Sequence, residues 1–152
     1  MEAAEVNIQP EDFDAGIEIR NLREASGTTG AVASFVGVVS DRNDGADIES
    51  LLLEHYPGMT EKSIVAIIAQ AKQRWPLLAV KVIHRIGKLQ RADQIVFVGV
   101  ASRHRGAAFA ACEYIMDFLK TQAPFWKKEK TSAGERWVDA RSTDTEATAR
   151  WK

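Results

Sequence analysis

Two lysines separated by residues that restrict the backbone are the strongest candidates for chemistry in this sequence. Lys120 and Lys127 stand seven positions apart, on either side of Pro124, Phe125 and Trp126. Because proline lacks a backbone N–H and disfavours helix at the residue before it, we predict that the preceding helix ends near Lys120. We expect Phe125 and Trp126 to anchor a non-helical segment by burial and so to hold Lys127. A fixed ammonium group beside aromatic walls suits a flat, anionic substrate.

A second basic cluster, Arg103-His104-Arg105, follows an apolar strand pattern and opens a predicted helix. Free N–H groups and the positive dipole end of a helix favour phosphate at such a junction, and arginines can add bidentate hydrogen bonds. A solvated basic turn is the alternative. A helix of ~16 residues is ~24 Å long. A partner chain or a folded-back loop is therefore needed to bring the two basic clusters to one small ligand.

Other residues that could carry chemistry give weaker signals. Surface lysines at a helix end are the common alternative for the lysine pair. His55 and His84 lie in strand patterns and are interpreted as structural histidines. Cys112 falls among alanines in a helical pattern and is interpreted as a small core residue rather than a nucleophile. The sequence has no Gly-rich phosphate loop, no paired catalytic carboxylates and no serine triad pattern.

Composition narrows the class of protein. The 152 residues suit a single domain over 1–152, and a net charge of -1 gives no overall attraction to nucleic acid or to an anionic membrane. One cysteine excludes an intrachain disulfide and a thiolate metal cage within the chain, and the three histidines lack metal-ligand spacing. There is no membrane-spanning apolar run and no secretory pattern at the acidic N-terminus, so we expect a cytoplasmic location.

The helices and strands that must position these residues are predicted from hydrophobic periodicity and from the Gly and Pro residues that interrupt it. Strands are predicted over 31–39, 48–56, 79–86, 94–101 and 136–138, with a turn over 41–45. Helices are predicted over 11–24, from an N-cap at Thr60 to Pro76, and from the residues after Arg103-His104-Arg105-Gly106 to near Lys120. The strand over 94–101 is the most apolar and is expected to be central in its sheet. Mixed strands and helices predict an α+β fold.

Four segments together carry a family resemblance: LEHYPGMT at 53–60, IHRIG at 83–87, the strand ending in Ser102 before His104-Arg105, and KTQAPFWK at 120–127. In this order, and over about residues 31–151, they resemble the catalytic (large) subunit of molybdopterin synthase, the MoaE family. The resemblance implies an α/β hammerhead-type α+β fold. Such a fold has a mixed and antiparallel sheet, packed helices and a small extra β subdomain.

The resemblance also implies an activity and its partners. The family converts cyclic pyranopterin monophosphate (precursor Z) into molybdopterin by building a dithiolene. The sulfur comes from the thiocarboxylated C-terminal glycine of a small ubiquitin-like subunit. A homodimer of large subunits with one small subunit at each end, a heterotetramer, is implied. No metal or diffusible cofactor, nucleic acid or membrane is required.

Site residues are carried over by position. Lys120, beside the incoming glycine tail, and Lys127, beside the pterin, are the implied catalytic residues. The implied substrate-binding residues are Val38, Val39, Ser40, Arg42, His104, Arg105, Lys128, Glu129 and Arg141, the last reaching the phosphate from the neighbouring large subunit. The family usually has arginine at the position of Ser40 and histidine at that of Arg42. Either Arg42 bends back to supply the charge, or that contact is absent.

Two functions from other classes remain open at this point. A basic and aromatic segment can bind single-stranded RNA by charge and stacking. The sequence lacks the glycine–aromatic strand motifs of common RNA-binding sheets, and its net charge does not favour non-specific binding. A noncatalytic scaffold that docks a ubiquitin-like protein is the other alternative, and the presence of both lysines argues against it.

Overall fold

The computed structural model describes residues 5–43, 45–138 and 142–151. Strands and helices are mixed along this part of the chain, as the α+β prediction requires. In chain order the elements are β1 (Val6–Gln9), α1 (Ala15–Arg23), β2 (Ala31–Val38), β3 (Arg42–Asn43), β4 (Ala46–His55), α2 (Met59–Arg74), β5 (Leu77–Arg85), β6 (Gly87–Gln90), β7 (Gln94–Ser102), α3 (Arg105–Gln122), β8 (Phe125–Thr131), β9 (Gly134–Val138) and α4 (Ser142–Ala149).

The larger core forms around a four-stranded sheet with the order β1-β5-β7-β2. β7 lies between two partners, which confirms the prediction that the most apolar strand is central. Alternate side chains of its strands face opposite layers. Val82, Val98 and Val100 belong to the core with α2 and α3, whereas Ile83 and Phe97 pack with Leu22 of α1.

A second sheet, of five strands, has the order β3-β4-β8-β9, with β6 also paired to β4. Its inner face is apolar because Ile48, Leu51 and Leu53 of β4 pack with Leu89 and Val39 in a second core. β8 runs antiparallel to β4, so that Lys127 lies opposite Leu53. This sheet carries the residues that follow the proline turn.

The start of α2 differs from the prediction. Gly58, not Thr60, is the N-cap, and its N–H donates to Glu61 Oε1 at 3.1 Å. Gly58 has φ +85°, a conformation that glycine adopts without a side-chain clash. Thr60 lies inside the helix and is fully buried. Its hydroxyl accepts from the Tyr56 N–H at 2.9 Å and donates to the Pro124 carbonyl at 2.9 Å. Thr60 therefore ties α2 to the proline turn.

Short elements defined by their pairing were not predicted. β1, β6 and α4 were missed, and β3 lies in the segment predicted as a turn. The predicted helix over 11–24 begins only at Ala15, because Asp14 caps it by accepting from the Ile17 N–H at 3.1 Å. Trp126 is 47% exposed, so the prediction that it anchors its segment by burial is wrong. Pairing of β8 with β4 and β9 holds that segment instead.

Gly30, just before β2, lies close to the backbone at the junction between β7 and α3. Its N–H donates to the Ser102 carbonyl at 3.0 Å, and a Cβ atom there would lie 2.2 Å from the Arg103 carbonyl oxygen. Because the obstacle is backbone, we expect Gly30→Ala to lower the free energy of unfolding by about 1–3 kcal/mol in urea denaturation. Gly27→Ala, where a Cβ meets nothing within 4 Å, is the matched control and should change it by less than about 0.5 kcal/mol. Equal effects of the two substitutions would contradict this account.

Candidate active site

A cavity of about 700 Å³ lies where the two sheets and the end of α3 meet. Both predicted catalytic lysines line it, together with apolar side chains from β2, β4, β7 and α3. The lining residues are Phe35, Val36, Gly37, Val38, Val39, Ser40, Arg42, Asn43, Ile48, Leu51, Leu53, His84, Ile95, Val96, Met116, Leu119, Lys120, Ala123, Phe125, Lys127, Glu129, Val138 and Asp144. Such a volume suits a small molecule together with a narrow peptide tail.

The turn between α3 and β8 brings the two lysines together. Lys120 stands in the last turn of α3, where a cation is favoured by the helix dipole. Ala123 is extended, with ψ 127°, as expected before a proline. β8 begins directly after Pro124, and alternation along the strand turns Lys127 and Glu129 toward the cavity.

The same alternation places Lys128 elsewhere. Its ammonium pairs with Glu135 at 2.9 Å and lies 5.3 Å from the centre of the Trp137 ring. It lines a separate depression of about 200 Å³ with Ser50, Leu52, Lys88, Lys130 and Glu135. The structure therefore does not bring Lys128 to the two predicted catalytic lysines, although it is adjacent to Lys127 in the sequence.

The segment after β2 reaches the cavity as predicted, with Val38, Val39, Ser40 and Arg42 in its lining. The Ser40 hydroxyl donates to the Arg42 carbonyl at 3.0 Å and accepts from the Arg42 N–H at 3.3 Å. The Arg42 guanidinium pairs with Asp47 at 3.2 Å and donates to the Gly45 carbonyl at 3.0 Å. It is thus engaged along the β3–β4 hairpin rather than bent back over Ser40.

Glu129 is a buried carboxylate, 3% exposed, that holds the wall of the cavity. It accepts from Asn43 Nδ2 at 2.8 Å and from Arg136 Nε at 3.0 Å. Arg136 also donates to the Asn43 carbonyl at 2.8 Å. These three side chains connect β3, β8 and β9, so that Glu129 acts in this structure as a clamp on the segment that contains Arg42.

His104 and Arg105 lie at the opposite end of α3 and do not line the cavity. The Ser102 hydroxyl donates to the His104 carbonyl at this junction. Residues 105 and 120 are about 22 Å apart along the helix axis at 1.5 Å per residue. One chain therefore does not bring these two residues to its own lysine pair. Arg141, the remaining predicted residue, lies outside the residues that the structure describes.

His84 is a cavity residue that the sequence reasoning missed. It was interpreted as a structural histidine in a strand, yet it lines the cavity with both lysines. Its ring stacks on Phe125 at 3.8 Å between centroids and 17° between planes. Burial is the main cause that lowers the pKa of His84 from 6.5 to about 4; the hydrogen bond with the Arg85 carbonyl opposes this, and the positive charges of Lys120 and His55 add to it. The available signal was its position within the IHRIG segment.

Cys112 is unsuited to nucleophilic chemistry. It is buried, its Sγ donates to the Val98 carbonyl at 3.7 Å, and burial, with a smaller effect of Glu113, raises the pKa of the thiol to about 11. Within the described ranges, no group of three His, Cys, Asp or Glu side chains could hold a metal ion. In the same part of the chain, no helix is long and apolar enough to cross a membrane.

The fold and the cavity define a class: an α+β protein with two lysines converging at the end of its longest helix. Comparison with known proteins narrows this class. The family described as "MoaE protein" matches residues 8–122, and the chain belongs to the MoaE family. The molybdopterin synthase catalytic subunit of Ralstonia nicotianae is 60% identical over 146 residues, which cover 96% of this chain and 83% of that protein.

Solved structures agree with this assignment. Molybdopterin cofactor biosynthesis protein E from Burkholderia multivorans matches with a TM-score of 0.83 and 55% identity, covering 99% of this chain and 97% of that one. The crystal structure of molybdopterin synthase from Staphylococcus aureus matches with a TM-score of 0.83 and 31% identity, covering 91% and 99%. The predicted family and fold class are thereby confirmed.

A double-mutant cycle measures the coupling between Glu129 and Arg136. Arg136→Met leaves a buried carboxylate with fewer donors, so we expect the free energy of unfolding to fall by about 1–3 kcal/mol. Glu129→Gln combined with Arg136→Met should recover part of that loss, with a coupling of about 1 kcal/mol or more in urea denaturation. Lys128→Met, which removes an ion pair on the more exposed face, is the control and should cost less than about 1 kcal/mol. Additive effects of the two substitutions would contradict the clamp.

The depressed pKa of His84 predicts a pH dependence of stability. The unfolded chain binds a proton at this position near pH 6.5, whereas the folded chain does so only near pH 4. Stability is therefore fully present above pH 6.5 and is lost as the pH falls toward 4, by up to about 3 kcal/mol. Denaturation of the wild type and of His84→Gln across this range should show the loss mainly in the wild type. Parallel curves would contradict a ring that is neutral in the folded chain.

Proposed function

We propose that this protein is the catalytic subunit of a molybdopterin synthase. In this function it transfers sulfur from the thiocarboxylated C-terminus of a small ubiquitin-like subunit to cyclic pyranopterin monophosphate, and so acts as a sulfurtransferase that forms the molybdopterin dithiolene. The observation that supports this proposal most directly is that Lys120 and Lys127 line one cavity in a chain of the MoaE family. The names of the relatives support the same activity.

The source of sulfur follows from the cysteine content. The sequence contains one cysteine, and its thiol is buried in the larger core. The chain therefore offers no accessible sulfur nucleophile of its own. A thiocarboxylate on the tail of a partner supplies sulfur in an already anionic form, and a narrow tail can enter a cavity that a folded domain cannot.

The proposed role of the two lysines is to stabilise the negative charges that develop during sulfur transfer. When the thiocarboxylate sulfur bonds to a carbon of the pterin side chain, that carbon gives up a bond to oxygen. The electron pair stays on the departing oxygen, where an ammonium group can stabilise the negative charge and donate a proton. Because the sulfur then leaves the carrier, its acyl carbon must end bonded to oxygen from water. We assign Lys120 to the carrier tail and Lys127 to the pterin, and both can hold or move protons as these centres rearrange.

A second copy of the chain completes the site in this proposal. His104 and Arg105 lie too far from the lysines of the same chain to contact one small substrate. In a homodimer, the second copy supplies His104, Arg105 and Arg141 for the phosphate, and one small subunit at each end gives a heterotetramer. We place this assembly in the cytoplasm.

The alternatives fit the geometry less well. A single-stranded RNA-binding module needs free aromatic faces beside its cations. Phe125 is stacked on His84 within the cavity wall, and Trp126, although 47% exposed, alternates along β8 to the face opposite Lys127. Lys128 is engaged by Glu135 and lies against Trp137 rather than beside Lys127. A noncatalytic scaffold gives no reason for two lysines to converge on a cavity of this volume.

Substitution of Lys120 tests the proposal directly. We expect Lys120→Ala to reduce dithiolene formation by at least about 100-fold, because the fixed charge at the developing anion is lost. The assay combines the protein, the thiocarboxylated small subunit and precursor Z, and detects the product by mass spectrometry. Lys62→Ala, an exposed lysine on α2 away from the cavity, is the matched control and should turn over normally.

Two further arms separate the candidate functions. Omitting the small subunit should leave precursor Z unchanged. Normal turnover by a folded Lys120→Ala variant would refute the role of the lysine. Tight RNA binding that weakens steeply with salt, without any dithiolene formation, would favour the RNA-binding alternative.

A further inference from the structure

His84 is placed to act inside the cavity rather than only in the core. It lies on the same face of β5 as Val80 and Val82, the face covered by α2 and α3. It is paired in register with Ile8 on one side and Val96 on the other, so its backbone lies in the interior of the sheet. Its half-buried ring lines the cavity that holds Lys120.

Two contacts fix the orientation of the ring. One face stacks on Phe125, the first residue of β8 after the proline turn. The Nδ1 atom lies 2.8 Å from the Arg85 carbonyl oxygen. Because a carbonyl oxygen only accepts, Nδ1 must carry the hydrogen. In the neutral ring, Nε2 is then an unprotonated acceptor.

The surroundings of the ring keep this acceptor neutral at physiological pH. Burial acts first, and the positive charges of Lys120 on α3 and His55 on β4 act in the same direction, while the hydrogen bond with the Arg85 carbonyl opposes them. The carboxylates of Glu129 and Asp144 also line this cavity. The low pKa that results is consistent with the tautomer that the Arg85 carbonyl requires. A neutral acceptor differs from a carboxylate because it can accept from an ammonium group without cancelling the positive charge.

We propose that His84 is a positioning residue for the reaction, whose Nε2 accepts a hydrogen bond from the Lys120 ammonium and orients it toward the carrier tail. This inference rests on the proposed function. It explains why an imidazole, with one nitrogen committed to the backbone, shares the cavity with a lysine whose ammonium must be directed. The Phe125 stack connects this orientation to the turn that also positions Lys127.

Three substitutions separate the acceptor from the shape of the ring. His84→Phe keeps a ring to stack on Phe125 but removes the acceptor, and we expect kcat for dithiolene formation to fall roughly 10- to 100-fold, with the KM for precursor Z changed less than threefold. His84→Gln offers an acceptor at the position of Nε2 and should restore a substantial part of kcat. Lys62→Ala, at an exposed residue of α2 outside the cavity lining, is the control and should keep kcat within about twofold.

The tautomer of His84 is measured on the wild type, so the proposal stays testable if a variant does not fold. Nitrogen-15 NMR of labelled histidine should show the His84 ring neutral at pH 7, with hydrogen on Nδ1 and a lone pair on Nε2. A protonated ring, or hydrogen on Nε2, would overturn the proposal. So would a folded His84→Phe variant with wild-type kcat. If the wild type itself forms no dithiolene, the proposed function fails instead, and the NMR result still decides the state of the ring.

Discussion

The turn from α3 into β8 is the constraint on which the cavity depends. Pro124 cannot continue the helix, and the chain must leave α3 within a few residues of Lys120. The Thr60 hydroxyl fixes the turn from outside by donating to the Pro124 carbonyl at 2.9 Å. β8 then starts at once and is paired with β4, so the side chain of Lys127 has one direction available. A helix end and a strand start thereby supply two ammonium groups to one volume without a long loop.

Two polar groups of the cavity wall, Glu129 and His84, are already committed to partners other than the lysines. Glu129, the most buried of the acidic residues described, is committed to Asn43 and Arg136 by hydrogen bonds of 2.8 and 3.0 Å. His84 is neutral because burial and nearby cations lower its pKa to about 4. Of these two groups, Glu129 holds the cavity wall and His84 offers a neutral acceptor, an arrangement that favours electrostatic stabilisation of an anionic intermediate.

Sequence reasoning succeeded where a pattern is local or a motif is long. Hydrophobic periodicity predicted the apolar strand β7 and the long helix after it, and Pro124 predicted where that helix ends. The KTQAPFWK segment led to the right family. It failed where the outcome depends on partners in space. Lys128 adjoins Lys127 in sequence, but strand alternation turns it to the other face. The reason was not foreseen, because the segment after Pro124 was predicted only as non-helical and not as the strand β8. His84 looked like an ordinary strand histidine because Phe125 and Lys120 reach it only in the fold.

The same geometry indicates that more than one chain contributes residues to the reaction. α3 separates the lysine pair from His104 and Arg105 by about 22 Å, a distance that no rotamer change closes. The chain has its only thiol locked in the core, where Cys112 donates to the Val98 carbonyl. Under the proposed function, sulfur comes from one partner and phosphate contacts from another, while this chain contributes the oriented cations. Assembly then regulates the chemistry by itself, since an isolated subunit lacks both the nucleophile and part of the substrate site.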